Sequence, residues 1–296
     1  MNNITDELLK IVSNMPSDFK GAFNIREDSG CAGRRSSENI RIESKTDNPG
    51  INIYISAKAQ GETVYIPACV TKSGVNDLVY NDFFIEPGAD VIIVAGCGVH
   101  TEGEEESRHN GIHRFFLGKG ARALYKEKHI GTGGGTGARR IDPVTDMTLE
   151  EDAYFEMDTL QIGGVTSTNR TTNGHLGARA KLVIRERLMT DGDDSGVDLV
   201  SRSVARGMSY QEYRSVIKGN CRCTGHSECD AILVDQGRVK AEPALYAGHL
   251  DASLIHEAAI GKIAGEQIIK LRTLGLTEEE AERTIISGFL SAEGVD

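Results

Sequence analysis

Apolar and polar residues alternate with a period of two along most of this chain. The pattern begins at Asn39-Ile40-Arg41-Ile42 and recurs in Ile51-Asn52-Ile53-Tyr54-Ile55, Val64-Tyr65-Ile66, Leu78-Val79-Tyr80, Val91-Ile92-Ile93-Val94 and Leu182-Val183-Ile184. Alternation of this kind puts every second side chain on one face, which is the signature of strands buried on one side. No stretch between residue 39 and about residue 245 has helical spacing. Glycine turns punctuate the strands at Gly88, Gly120, Gly177, Gly207 and Gly237, and Glu151-Asp152-Ala153 falls near the middle of the one long gap between them. A repeat of about 30 residues made only of short strands and turns predicts stacked coils, each covering the apolar face of the one before. A β-sandwich is the competing arrangement.

The two ends read differently. Met1 to Pro16 carries Leu8, Leu9, Ile11, Val12 and Met15 at amphipathic spacing and predicts a short helix, followed by a polar, turn-rich stretch from Phe23 to Lys45. Asp230 to Leu245 reads as strand, turn and strand around Asp235-Gln236-Gly237. Beyond it, Ile268, Ile269, Leu271 and Leu274 recur at helical spacing, and Gly275 stands where a left-handed cap residue is expected. Thr277 with Glu280 forms a capping box, and Ala281, Ile285, Ile286 and Phe289 share one face of a second helix. The expected organisation is therefore a helical and irregular segment over 1–38, a β-helical core over 39–248 and a C-terminal helical domain over 249–296.

Composition narrows the function. A net charge of −11 argues against a duplex nucleic-acid partner, since Arg34-Arg35 and Arg139-Arg140 are pairs and not patches. Six cysteines without a leader-like start predict a reducing, cytoplasmic setting in which thiols stay available to metals. No apolar run approaches the roughly 20 residues of a membrane span. The lack of tryptophan and the 5% aromatic content leave few platforms for a polysaccharide groove.

Soft ligands concentrate late in the chain. Cys221-x-Cys223-x2-His226-x2-Cys229 packs three thiols and an imidazole into one short stretch, which would suit zinc or an iron–sulfur centre if a turn at Gly225 closed it into a knuckle. On an unbroken strand the cysteines would share one face and His226 the other. Cys229 and Glu257 are distant in sequence, with His256 beside Glu257 just ahead of the helices, and only the fold can decide whether they meet. Earlier in the chain, Cys97, His100, His109 and His113 have a spacing open to a transition metal or to simple solvation. Gly131 to Gly137 invites a phosphate-loop reading, but lacks the Gly-Lys-Ser/Thr ending and runs into Asp142-Pro143, so a flexible loop is expected.

Cys229-Asp230-Ala231-Ile232, Leu254-Ile255-His256-Glu257-Ala258-Ala259, Gly261-Lys262-Ile263, Glu266-Gln267, Leu274-Gly275-Leu276, Glu278-Glu279-Glu280-Ala281 and Gly288-Phe289 together resemble the C-terminal signature of the SufB/SufD family. These are scaffold components of iron–sulfur cluster assembly, and the chain is similar to their short archaeal-type members. The resemblance implies a right-handed parallel β-helix-like core flanked by short helices. It implies that Cys229 and Glu257 serve cluster building as they do in SufB-type subunits, with His256 matching the histidine of the SufD-type partner. One chain then carries both halves, so a homodimer would do what a heterodimer of SufB- and SufD-like paralogues does. Cys97, in Val94-Ala95-Gly96-Cys97-Gly98, resembles the element at which SufB accepts sulfur, and is expected at a strand end before an open loop, where buried packing is the alternative. Also implied are a transient iron–sulfur cluster, a SufC-like ABC ATPase docked on the C-terminal helices, and a sulfur donor and apo-protein recipients. An architectural, SufD-like subunit is the alternative role. Met189 to Asp198 departs from similar family members by passing straight between strands, so altered stacking is expected near residue 192.

Overall fold

The structure, a computed structural model, describes residues 2–190 and 192–291. It opens with α1 (Asn3–Val12), the antiparallel hairpin of β1 (Phe23–Glu27) and β2 (Gly30–Arg35), and the antiparallel pair β3 (Ile40–Ser44) and β4 (Gly50–Ile55). The body winds on through β5 (Gln60–Val70), β6 (Asn76–Ile85), β7 (Asp90–His100), β8 (Ser107–Leu117), β9 (Arg122–Thr132), β10 (Arg139–Ile141), β11 (Val144–Leu149) and β12 (Tyr154–Gly163). It continues through β13 (Thr171–Leu176), β14 (Lys181–Thr190), β15 (Ser195–Ala205), β16 (Tyr210–Gly219), β17 (Cys223–Leu233), β18 (Arg238–Ala247) and β19 (Ala252–Gly261), and ends in α2 (Gly265–Thr273) and α3 (Glu278–Ser291). Strands alternate between two sheets, in the orders β18-β16-β14-β12-β9-β7-β5-β1-β2 and β19-β17-β15-β13-β11-β8-β6-β4-β3. From β4 onward the neighbours within each sheet are parallel, giving a β-helix of about seven turns.

The turns explain the repeat. Gly88, Gly120, Asp152, Arg179, Gly207 and Asp235 all have left-handed backbones, one to each coil. The long gap between glycine turns is thus two ordinary coils whose turn residue is Asp152, an L residue that tolerates this conformation. Parallel register does the rest: Phe83 pairs with Phe115, Ala123 with Phe155, and Tyr154 with Lys181. Identical turns put like beside like, so the Phe83 and Phe115 rings stack inside at 4.4 Å while Tyr54, Phe84 and Phe116 stack outside at 5.1 and 5.3 Å.

The strand run is longer than the sequence suggested. It starts at Phe23 and not at Asn39, and it continues past residue 248 to Gly261. Leu254 to Ala259, expected as the approach to the helices, is part of the last strand, because β17 finds in it a registered parallel partner from Cys223↔Ala252 to Ile232↔Gly261. The capping box forms as expected, with Glu280 N–H donating to Thr277 Oγ1 at 3.2 Å and Thr277 N–H donating back to the Glu280 carboxylate at 2.8 Å. Gly275 is left-handed behind α2.

Stacking changes where the short connection was noted. β14 passes almost directly into β15, and the shorter β13 meets β15 only at His175↔Val204 and Leu176↔Ala205. Asp191, and the side chains of Met189 and Thr190, lie outside the described residues.

The N-terminal helix is seated by glycine. α1 lies over the outward face of the sheet at β7, where a Cβ on Gly96 would stand 2.8 Å from the Val12 carbonyl oxygen and one on Gly98 would stand 2.8 Å from Leu8. Leu8 and Val12 are buried there. Gly96→Val should therefore lift α1 and lower unfolding stability by about 1–3 kcal/mol, read as a shifted urea midpoint with the strand circular-dichroism signal retained. An unshifted midpoint would show that α1 contributes nothing through this contact.

Candidate functional site at the open end of the β-helix

The last coil has no coil above it among the described residues. β18 and β19 consequently expose apolar side chains, including Tyr246, Ile255 and Ile260, that a further coil would cover. Cys229 lies on β17 one strand in from this edge, inward-facing, 0% exposed and packed in the main core. Burial, followed by the neighbouring Asp230 charge, pushes its thiol up to about 11. The thiol is protonated at neutral pH, so a metal would have to displace its proton.

Register divides the three expected partners. Ser227↔His256 and Cys229↔Ala258 are paired, so His256 shares the inward face with Cys229, displaced by one step of the alternation on the adjacent strand. The buried Nδ1 of His256 has no hydrogen-bond partner. Glu257 pairs with Glu228 and points outward, where its carboxylate lies 3.9 Å from His226 Nε2. Within one chain, thiol and imidazole are therefore brought to one face and the carboxylate is left on the other.

The zinc knuckle is not formed. β17 runs unbroken through Gly225, so alternation turns Cys223 and Cys229 inward and His226 outward, where its Nδ1 meets Asp198 Oδ1 at 2.9 Å. Cys221 precedes the strand and donates its S–H to the Gly192 carbonyl at 3.0 Å. All six cysteines are thiols.

Cys97 lies within β7, not at a strand end before a loop; it faces inward and is 4% exposed. Burial and then the Glu127 charge push its thiol well above the ordinary value. The histidines grouped with it by spacing disperse. His100 Nδ1 meets Thr132 Oγ1 at 3.0 Å, and His109 joins Asp77, itself paired with Arg26 at 2.6 Å. His113 sits buried among Phe83, Phe115 and Tyr125. The neighbours that Cys97 does acquire come from the next coil: the ligand atoms of Cys97, Glu127 and His129 all lie within 4.8 Å of one another. Burial would raise the Glu127 carboxyl, but Arg170 and then His129 outweigh it and hold it well below its usual value. Residues 127, 129 and 170 have no local motif. The signal that finds them is the coil length, since one full coil carries Cys97 onto His129.

The glycine run is packed, not loose. Gly133, Gly135 and Gly137 leave no room for a Cβ against the backbone of Thr101 to Glu105, and Gly135 and Gly137 donate to Thr101 and Gly103, each at 3.0 Å. Glycine is needed there for close stacking of two loops.

The SUF system FeS cluster assembly SufBD core domain matches residues 79–289. This chain belongs to the SufBD family. Iron–sulfur cluster assembly SufBD family proteins of Methanothermobacter thermautotrophicus and Archaeoglobus fulgidus are 28% and 26% identical to it, over 81% and 83% of this chain. The chain spans 62% of the first relative's length and 70% of the second's. A Methanocaldococcus jannaschii member is 23% identical over 96% of both chains. The matching domain and these relatives are named for iron–sulfur cluster assembly. No described helix is long and apolar enough to cross a membrane.

Burial pushes the His113 imidazole down to about 4 from its ordinary value near 6.5, against the attraction of Glu127. The unfolded chain takes up that proton near pH 6.5 and the folded chain only near 4, so this stability is present above pH 6.5 and is lost as pH falls toward 4. His113→Leu should flatten the fall in urea midpoint between pH 7 and pH 4.5 relative to the parent. Parallel profiles would show that the imidazole is not held neutral.

Proposed function

We propose that this chain is a scaffold subunit of SUF-type assembly, on which a nascent iron–sulfur cluster is built and passed on at an interface between subunits. The cluster is cargo. The observation that supports this reading is the uncovered last coil, where an unpaired strand edge and exposed Ile255 and Ile260 adjoin the inward-facing Cys229 and His256. Thiolate and imidazole are suitable iron ligands that leave positions open for exchange. Glu257, turned outward at the same edge, would complete the set from a second subunit, whether a copy of this chain or a SufB/SufD-like paralogue. The helical hairpin would dock a SufC-like ABC ATPase: α2 buries none of its residues, and Ile269 and Leu274 stay exposed. Sulfur delivery to Cys97 belongs to the same proposal and requires access to a thiol that is 4% exposed.

A specific observation favours the architectural, SufD-like role as a second reading, for Cys229 is fully buried and its thiol protonated. Anaerobic reconstitution with iron and sulfide separates the two. As a scaffold, the parent chain acquires cluster absorbance and labile sulfide, while Cys229→Ser loses both and keeps its fold and oligomeric state. Unchanged absorbance in Cys229→Ser would remove Cys229 from the site. A parent complex that holds neither iron nor sulfide would leave the architectural role.

A further inference from the structure

We propose that Cys97, Glu127 and His129 form a mononuclear site for a divalent transition-metal ion, zinc or ferrous iron by their ligand chemistry, inside the β-helix and separate from the open end. The proposal rests on β7 and β9 and not on the assembly reading above. Three donors of different type, thiol, carboxylate and imidazole, face one another within 4.8 Å, whereas a bound ion at about 2.0–2.3 Å from each would draw them to somewhat under about 4 Å. Side-chain rotation covers that difference without moving either strand. Each ligand side chain points inward from a registered position, so the coil, not a loop, aims them.

The surroundings suit an ion. His129 is 3% exposed, and its buried Nε2 lies 3.2 Å from Glu127 Oε1 without the geometry of a hydrogen bond. The polar neighbour of that imidazole nitrogen is therefore the carboxylate that would share the ion with it. The other carboxylate oxygen, Oε2, accepts from Arg170 at 2.5 Å, and the Tyr125 hydroxyl donates to Oε1 at 2.8 Å, so the carboxylate is oriented as outer partners orient metal ligands. Thiolate and carboxylate neutralise a divalent charge between them, the thiol losing its proton to solvent on binding. Arg170 keeps Glu186 at 3.4 Å as a second counter-ion.

An entry path exists. Where β13 fails to pair along β15, a cleft of about 580 Å³ opens through the side of the β-helix. His129, Arg170 and Glu186 line it, together with Gln161, Asp194 and Asp198. Among the charged side chains lining it, three carboxylates stand beside the one Arg170 guanidinium, with Glu186 paired to Arg170 and Asp194 to Arg222, so the approach admits a cation. Of the three ligands His129 lines this cleft, and three protein ligands leave a fourth position free, which is the arrangement of an exchangeable site and not of a closed structural one.

The test is a titration of the chelator-stripped, reduced full chain with cobalt(II), carried out in the Cys229→Ser background so that the open-end thiol is absent. One equivalent should bind, with tetrahedral d–d bands and a thiolate-to-cobalt charge-transfer band. Adding Cys97→Ser should abolish the charge-transfer band, and adding His129→Asn should weaken binding by more than about tenfold, since loss of an outer partner alone costs that much. The Cys97 band appears whether or not Cys229 is needed for cluster retention, so the two proposals fail separately. A charge-transfer band that survives Cys97→Ser overturns this one, as does the lack of any band in the folded Cys229→Ser chain. Should Cys97→Ser not fold, X-ray absorption of the zinc-loaded Cys229→Ser chain decides: sulfur plus imidazole nitrogen around the ion is expected, and a sulfur-free shell overturns the site.

Discussion

Coil-to-coil register is the constraint on which the rest of this molecule depends. Each coil hydrogen-bonds to the next in parallel, so a residue's face and its neighbours are decided by what stands one coil away. Like residues therefore stack: phenylalanine on phenylalanine inside, tyrosine and phenylalanine outside, turn upon turn at the corners. Because each coil buries its apolar face only against its neighbours, stability is distributed along the axis and the last coil is left uncovered.

The same register makes the interior partly polar. Arg26, Asp77 and His109 form one buried ion-paired group, and Glu127, Arg170 and Glu186 another. Buried charges persist only where partners compensate their lost hydration. Here the compensation comes from successive coils, so these groups also hold the coils in register. Between the two groups lies Cys97, whose neighbours are set by coil length and not by local sequence.

At the open end the period of two decides the chemistry. Cys229 and His256 fall on the inward face and Glu257 on the outward one, a division that no turn relieves because β17 and β19 are both unbroken. Within one chain the carboxylate is thus kept apart from the thiol and imidazole, and an exposed strand edge bearing apolar side chains is a surface that natural proteins ordinarily cover.

Alternation, turn spacing and the capping box were legible in the amino-acid order because each depends on residues within one coil or one helix turn. The stacked-coil architecture, the terminal helices and the candidate cysteines followed from them, as did the family resemblance carried by the segment from Cys229 to Phe289. The beginning of the strands at Phe23, the inclusion of His256 and Glu257 in β19 and the burial of Cys97 were not legible, since hydrogen-bond partners in the neighbouring coil decide them. The meeting of Cys97 with Glu127 and His129, and the separation of Glu257 from Cys229, belong to the tertiary structure alone. Local sequence determines which side chains share a face of a strand; only the stacking of coils determines what those faces meet.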